Sequence, residues 1–233
     1  MRRRHIERIL VISLFVAFPL ILFASSDRPQ VSVDALPRWF FADILPYRDA
    51  ILNLGSGYIV SIIFYFLLVA LPEHFKKVRH RDHALEVYRR FKEDVIGLIF
   101  SASGKGYGLD EIDELMDPKK FRDYFEEDET GSGARWDEFL NGLDEYHRGR
   151  IVTELEILRD ELHFLVSHHD VEDGNVYKHL KNVSVAIHAM SKTGVSYNEQ
   201  KQWGRFLWGL FTLFDWGEGY REEDPIERAI ARI

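Results

Sequence analysis

Residues 54–71 of this chain read LGSGYIVSIIFYFLLVAL, and residues 9–24 read ILVISLFVAFPLILFA. Neither run contains a charged side chain, and a helix needs roughly 20 apolar residues to cross a bilayer. The first run reaches that length when it is extended back to Ile6, because Glu7 and Arg8 can reach the headgroup layer from a helix end. The pattern predicts two membrane spans, at about residues 6–24 and 54–71, joined as a hairpin.

Basic residues precede the first apolar run and follow the second. Lysine and arginine accumulate on the cytoplasmic side of spans, so the pattern predicts a protein of the inner membrane with both termini in the cytoplasm. The predicted lipid-facing basic residues are Arg2, Arg3, Arg4, Arg8, Lys76, Lys77, Arg79 and Arg81. We expect residues 25–53 to form a short outward loop. In the alternative of a cleaved signal peptide, the second span keeps this orientation.

Small residues recur four positions apart in both apolar runs. Ser13 and Ala17 share one helix face, and Gly57 and Ser61 share another. Small side chains let two helix backbones approach closely in lipid, where no hydrophobic force drives helices together. These four residues are therefore predicted helix-packing positions, either within the hairpin or between copies of the chain.

Charge divides the chain into two parts. Residues 1–81 contain 11 Lys or Arg and 6 Asp or Glu, whereas residues 82–233 contain 19 and 32. The basic part suits an anionic lipid surface, and the acidic part should repel free nucleic acid. We therefore predict a transmembrane hairpin with a basic juxtamembrane segment at 1–81, an acidic cytoplasmic domain at 82–233, and no direct nucleic-acid binding.

Helical periodicity dominates the second part of the chain, and no convincing alternation with a period of two is present. Helices are predicted from Pro72 to about Ser101, after Asp117, from Arg135 to about Asp170, over residues 176–192, from Ser196 or Asn198 to about Trp216, and after Asp224. Proline follows both Asp117 and Asp224, as at many helix starts. The predicted fold class is all-α: an N-terminal two-helix transmembrane hairpin followed by a cytoplasmic helical bundle.

Residues 203–216 read WGRFLWGLFTLFDW, which is apolar on every side of a helix. Such a helix is buried on all sides. It could be the central helix of the bundle, a subunit interface, or a segment inserted into the inner bilayer face. The candidate interface residues are Trp203, Phe206, Leu207, Trp208, Phe211 and Phe214.

His168, His169 and Asp170 form an HHD sequence. It resembles the His-Asp pair of HD-type metal phosphohydrolases, an all-helical family in which imidazole and carboxylate hold a divalent metal that activates water. The resemblance implies His169 and Asp170 as catalytic residues, with His147 and Asp215 completing the metal ligands. The alternative is that the histidines end a helix, where protonated imidazole suits the dipole.

Other sites of chemistry are weakly represented. Residues 127–138 resemble a degenerate EF-hand loop, but an ordinary acidic turn is the simpler interpretation. The chain has no cysteine, so thiol chemistry and disulfides are excluded. Serine nucleophile elbows, dinucleotide fingerprints and kinase motifs are absent from the sequence, so no cofactor is predicted.

The short basic N-terminus, the tight hairpin and the helical domain together resemble the small two-span effectors of bacterial antiphage systems, such as retron effectors. The resemblance covers layout alone. It implies a non-enzymatic effector that a cytoplasmic partner complex holds silent and that permeabilises the inner membrane as a homo-oligomer. Alternatives are a membrane-anchored HD-type metal phosphohydrolase and an accessory or scaffold subunit of a membrane complex.

Overall fold

The structure, a computed structural model, describes residues 12–14, 17, 47–127, 133–168, 171, 173–194 and 196–233. It is predominantly helical, which confirms the all-α class. The chain divides into two compact units, Met1–Lys76 and Lys77–Ile233. Most of the predicted first span lies outside the described residues.

The second apolar run belongs to a helix that begins earlier than predicted. Helix α1 covers Arg48–Tyr65, so residues 48–53 are helical rather than part of the outward loop. A π-helical segment follows at Phe66–Ala70, and helix α2 covers Leu71–Ala102. The rest of the predicted loop, up to residue 46, lies outside the described residues.

The π-helical segment explains how the helix continues past Pro72. Proline has no N–H to donate and its ring crowds the carbonyl one turn earlier, so it usually kinks or ends a helix. Here the N–H of Leu71 donates to the carbonyl of Phe66, five residues back, which widens the turn immediately before the proline. Asp82, a residue type that often caps a helix start, lies within α2, so no separate helix begins there.

Seven further helices and one short hairpin complete the second unit among the described residues. They are α3 (Leu109–Leu115), α4 (Pro118–Glu126), α5 (Arg135–Gly142), α6 (Glu145–His168), α7 (Gly174–Ser191), α8 (Tyr197–Thr212), β1 (Phe214–Asp215), β2 (Gly219–Tyr220) and α9 (Pro225–Ala231). As predicted, helices begin after Asp117 and Asp224: Asp117 caps α4 and Asp224 caps α9, and a proline follows each aspartate. Ser196 rather than Asn198 caps α8, with Glu199 completing a capping box.

The core of the second unit combines an aliphatic stripe with an aromatic cluster. Helix α6 contributes the buried residues Ile151, Leu155, Leu158, Leu162 and Leu165. The stacked rings of Phe121 on α4 and Phe211 on α8 have centroids 5.1 Å apart. The ring centroids of Trp136 and Trp208 are also 5.1 Å apart. Helix α8 is therefore largely internal to the domain.

Helix α8 ends at Thr212, before the predicted end near Trp216. Leu213 adopts a left-handed conformation with φ of 58°, which stops the helix, and Phe214 then pairs with Tyr220 in an antiparallel hairpin. The carboxylate of Asp215 accepts hydrogen bonds from the N–H groups of Gly217 and Glu218, which stabilises the turn. Strands of two residues are too short to show alternation in the sequence.

The predicted helix from Arg135 to about Asp170 is divided into α5 and α6 directly after Gly142. A Cβ added at Gly142 would lie 1.8 Å from the carbonyl oxygen of Ala102, whereas one added at Gly149 would meet nothing within 4 Å. The ends of α2 and α5 thus approach backbone to backbone, which only glycine permits. Gly149, seven residues later, lies inside α6 and does not interrupt it.

Candidate functional site

The most apolar surface of the described chain lies on α1 and the π-helical segment. Among the described residues, one helix, Asp49–Ala102, is long and apolar enough to cross a membrane, and only 6% of its apolar window is buried within the chain. Leu54 is 75% exposed and Leu68 is 71% exposed. Side chains of this kind are favourable in lipid and unfavourable in water.

The predicted packing residues of the two apolar runs lie in different surroundings where the structure describes them. The hydroxyl of Ser13 forms a hydrogen bond with the hydroxyl of Tyr58, which joins the first run to the second. Gly57 is exposed with open space where a Cβ would lie, and the Ser61 hydroxyl donates to the carbonyl of Gly57 at 2.8 Å. Ala17 is partly exposed. The contact face of α1 thus includes Tyr58, and packing through Gly57 and Ser61 remains a prediction for contacts between copies.

The face of α1 that carries Tyr58 is more buried than the rest of the helix. Ile62, one turn after Tyr58, is 7% exposed, although its neighbours Ile63 and Phe64 are 51% and 55% exposed. Residues one turn apart lie on the same face of a helix. The structure therefore separates a covered face of α1 from the face that presents Gly57 and Ser61.

The predicted basic residues after the second span lie on α2. Lys76 and Arg79 are exposed, whereas Lys77 and Arg81 are partly exposed. Arg81 forms an ion pair with its neighbour Asp82 at 2.9 Å. The remaining predicted lipid-facing residues, Arg2, Arg3, Arg4 and Arg8, lie outside the described residues.

The aromatic residues proposed as a subunit interface divide into two groups. Trp203, Leu207 and Phe211 are buried within this chain, with exposed fractions of 2% or less. The indole N–H of Trp203 donates to the carbonyl of Gly194 at 3.1 Å. The other three, Phe206, Trp208 and Phe214, are partly exposed, and Phe214 lies in β1 rather than in the helix. Burial of the first group favours the interpretation of α8 as a central helix of the domain.

The residues of the metal hypothesis have other partners where the structure describes them. Asp215 accepts a hydrogen bond from the main-chain N–H of Gly217 and forms an ion pair with Arg221 at 2.7 Å, and these contacts, the hydrogen bond first, lower the pKa of its carboxyl group. His147 contacts Asp144 and Ser101. His169 and Asp170 lie outside the described residues, and no group of three or more metal-ligating side chains occurs among the residues that are described.

A hydrogen-bonded chain of Ser101, His147 and Asp144 lies where α2 meets the start of α6. Nε2 of His147 lies 3.3 Å from the hydroxyl of Ser101, and Nδ1 of the same ring lies 2.8 Å from Oδ1 of Asp144. The same carboxylate oxygen accepts from the main-chain N–H of His147 at 2.9 Å. These hydrogen bonds, the main-chain one first, hold the pKa of Asp144 below its usual range, so the carboxylate is ionised at neutral pH.

No motif in the sequence predicted this chain of contacts. Ser101 precedes Asp144 and His147 by more than 40 residues, and the backbone contact between Gly142 and Ala102 brings them together. A visible feature was the spacing of Asp144 and His147, which suits a capped first helical turn. Ser101 lies too far from that turn along the chain for any spacing rule to connect the two.

A second polar cluster is buried between α2 and the start of α9. The ammonium group of Lys92 lies 3.1 Å from Oδ2 of Asp224, and the hydroxyl of Tyr88 donates to the same oxygen at 2.8 Å. The side chains of Lys92 and Asp224 are 9% and 7% exposed. A buried carboxylate with two donors and a helix N-terminus is well satisfied, but removal of one partner is costly.

This second cluster predicts alkaline sensitivity. Burial first, and then the charge of Asp224, raises the pKa of the Tyr88 phenol well above its ordinary value near 10. A raised pKa in the folded state means that the stability is present below about pH 10 and is lost as the pH rises through the folded-state value. We expect Tyr88→Phe to weaken this loss, measured by urea unfolding at pH 8 and pH 11.

The control for that prediction is Tyr146→Phe, because Tyr146 is 67% exposed and lies on the surface of α6. This variant should retain the alkaline loss of the unchanged chain. Equal alkaline losses in both variants would contradict the assignment to Tyr88.

A cavity of about 740 Å³ lies between the start of α7, the hairpin and α9. Its charged lining comprises Arg221, Arg228 and Arg232 together with Asp173, Glu218, Glu222 and Glu223. Burial, followed by the charge of Arg221, lowers the pKa of His179 in its wall. With three arginines against four carboxylates, the lining favours neither an anionic nor a cationic ligand.

No protein-family model, curated protein or solved structure matches this chain.

Proposed function

We propose that this chain is an integral membrane effector or signalling protein whose hairpin acts on the inner membrane and whose acidic cytoplasmic domain receives a partner. The observation that carries the proposal is the helix Asp49–Ala102, with an apolar window that is only 6% buried within the chain. Exposing so much apolar surface to water is unfavourable, and a bilayer covers it. This supports a membrane location for the first unit.

The hydrogen bond between Ser13 and Tyr58 supports a hairpin of two spans. A hydroxyl pair across two helices is a common way to join spans in lipid. With basic residues beyond both outer ends, such a hairpin places both termini in the cytoplasm. The loop between the spans is too small for a receptor domain, so the signal comes from the cytoplasmic side.

Action on the membrane requires several copies of the chain. Two spans cannot enclose a water-filled path, whereas a ring of hairpins can. In α1, Gly57 and Ser61 lie on an exposed face, apart from the face that includes Tyr58. Small residues of this kind permit close contact between helices, so this face is our candidate for contact between copies. We propose that a partner complex keeps these copies inactive until it releases them.

We expect expression of the chain without its partner to collapse the membrane potential, measured with a potential-sensitive dye. Gly57→Leu should retain the potential because leucine fills the space that a neighbouring helix would occupy. Ile63→Phe is the matched control on the same helix, since Ile63 is 51% exposed, lies about 120° around the helix from Gly57, and a larger apolar side chain there still faces lipid. It should depolarise cells as the unchanged chain does.

The side of the membrane on which each part of the chain lies is tested in the same cells. Because the chain contains no cysteine, Asp34→Cys and Lys201→Cys each provide a single site for a membrane-impermeant maleimide. The first should react in intact spheroplasts, and the second only after permeabilisation. An intact potential in cells that contain carbonate-resistant protein would contradict the effector function, whereas outward labelling of Lys201→Cys would contradict the topology.

A further inference from the structure

We propose that Ser101, His147 and Asp144 form a nucleophile, general base and orienting carboxylate that hydrolyse a carboxylic ester. The two distances, 3.3 Å from Ser101 Oγ to His147 Nε2 and 2.8 Å from His147 Nδ1 to Asp144, follow the order of a serine hydrolase triad. Such constellations recur on unrelated folds and are recognised by geometry and roles. This inference is independent of the proposed membrane function.

The partners of the imidazole determine where its protons lie. An ionised carboxylate can only accept a hydrogen bond, so Nδ1 of His147 carries the hydrogen that points to Asp144. Nε2 of the neutral ring is then an acceptor, and the hydroxyl of Ser101 donates to it. This is the tautomer that a general base requires, because Nε2 can take the serine proton during attack.

The exposure of Ser101 and His147 agrees with these roles, whereas the side chain of Asp144 is 63% exposed and is held by its two hydrogen bonds to His147. The side chain of His147 is 14% exposed and so is held in place, whereas Ser101 is exposed to solvent. The glycine-rich segment after Ser101 leaves open space, since Cβ atoms added at Gly104 or Gly106 would meet nothing within 4 Å. The ring of Tyr146 lies 5.3 Å from that of His147 and is exposed. An ester with a small acyl group and an aromatic alcohol suits such a surface.

The reaction is balanced without a cofactor. Ser101 Oγ forms a bond to the carbonyl carbon while its proton passes to Nε2 of His147. The ester C–O bond then breaks and that proton passes to the departing alcohol, leaving an acyl-serine. Water attacks the acyl group, gives a proton to His147, and the acid leaves as the proton returns to Ser101. The net change is ester plus water to acid plus alcohol.

The full chain in detergent micelles is treated with a fluorophosphonate probe, and the modified residue is found by mass spectrometry. Phosphonylation of Ser101 with loss of fluoride is expected, and Ser101→Ala should lose it. Ser103→Ala is the matched control: Ser103 is two residues away and its hydroxyl donates to the carbonyl of Ile99 at 2.8 Å. This variant should be labelled like the unchanged chain.

The same variants are assayed with p-nitrophenyl acetate. Asp144→Asn keeps the helix cap, because asparagine caps as well as aspartate, but it removes the charge that orients His147. We expect it to reduce kcat by about 100-fold with KM unchanged. A chain that remains unlabelled at Ser101, or a Ser101→Ala variant that hydrolyses the ester as fast as the unchanged chain, would overturn the proposal.

Discussion

Replacement of Asp224 by alanine is expected to lower the free energy of unfolding by about 4–6 kcal/mol. The change leaves the ammonium group of Lys92, with a side chain only 9% exposed, without its carboxylate. Stranding a buried charge in this way costs about 3–5 kcal/mol. It also removes the cap that accepts from the N–H groups of Ile226 and Glu227, at a further cost of about 1 kcal/mol. Urea unfolding followed by tryptophan fluorescence measures the loss.

The chain offers a close control for this prediction. Asp117 also caps a helix that begins with proline, and its carboxylate accepts from the N–H groups of Lys119 and Lys120. No buried lysine contacts Asp117 among the described residues, so Asp117→Ala should cost only about 1 kcal/mol. The difference between the two variants measures the buried pair.

A third variant separates the charge from the cap. Asp224→Asn retains an oxygen for the helix N-terminus and for Tyr88, but it leaves Lys92 without a counter-charge. We expect a loss of about 3 kcal/mol, close to the difference between the two alanine variants. Equal losses of unfolding free energy for Asp117→Ala and Asp224→Ala would contradict the prediction, because the ion pair between Lys92 and Asp224 would then add nothing to stability.

These two aspartates show what local sequence could predict and what it could not. Both are followed by proline, and both were predicted as helix caps, because the capping pattern depends on a few adjacent residues. The partner of Asp224 is 132 residues away on α2. No spacing rule connects residues so distant, so the buried pair required the fold.

The same limit explains the other differences. Periodicity identified α2 and α6 because each has an apolar face repeated over several turns, and a dense apolar run indicated α8. The end of α8 was misplaced because Leu213 adopts a left-handed conformation that apolar residues rarely take, with no glycine to indicate it. Apolarity alone marked the second apolar run, but which of its faces contacts Ser13 depends on a single tyrosine, Tyr58. The contacts of Ser101 with the start of α6 depend on a backbone approach between helices distant in sequence.

The second large effect is expected for Gly142→Ala, which should lower the free energy of unfolding by about 3 kcal/mol, at the upper end of overpacking costs. The added methyl group would lie 1.8 Å from the carbonyl oxygen of Ala102 and 2.9 Å from its carbon. Both distances are far below van der Waals contact, and the obstacle is main chain rather than a side chain that can rotate. The ends of α2 and α5 must therefore separate, which disturbs the buried Phe100 and Phe139 beside them.

Gly149→Ala tests whether this cost comes from the contact or from glycine itself. Gly149 lies inside α6, and a Cβ there would meet nothing within 4 Å. Alanine is the better helix former, so this variant should gain about 0.5–1 kcal/mol in unfolding free energy. Opposite signs for the two substitutions, measured by urea unfolding, are expected only if Gly142 is required for the approach of the two backbones. A gain in stability for both variants would mean that α5 can move away from Ala102 without loss. The contact between Gly142 and Ala102 would then not be what holds Ser101 beside His147.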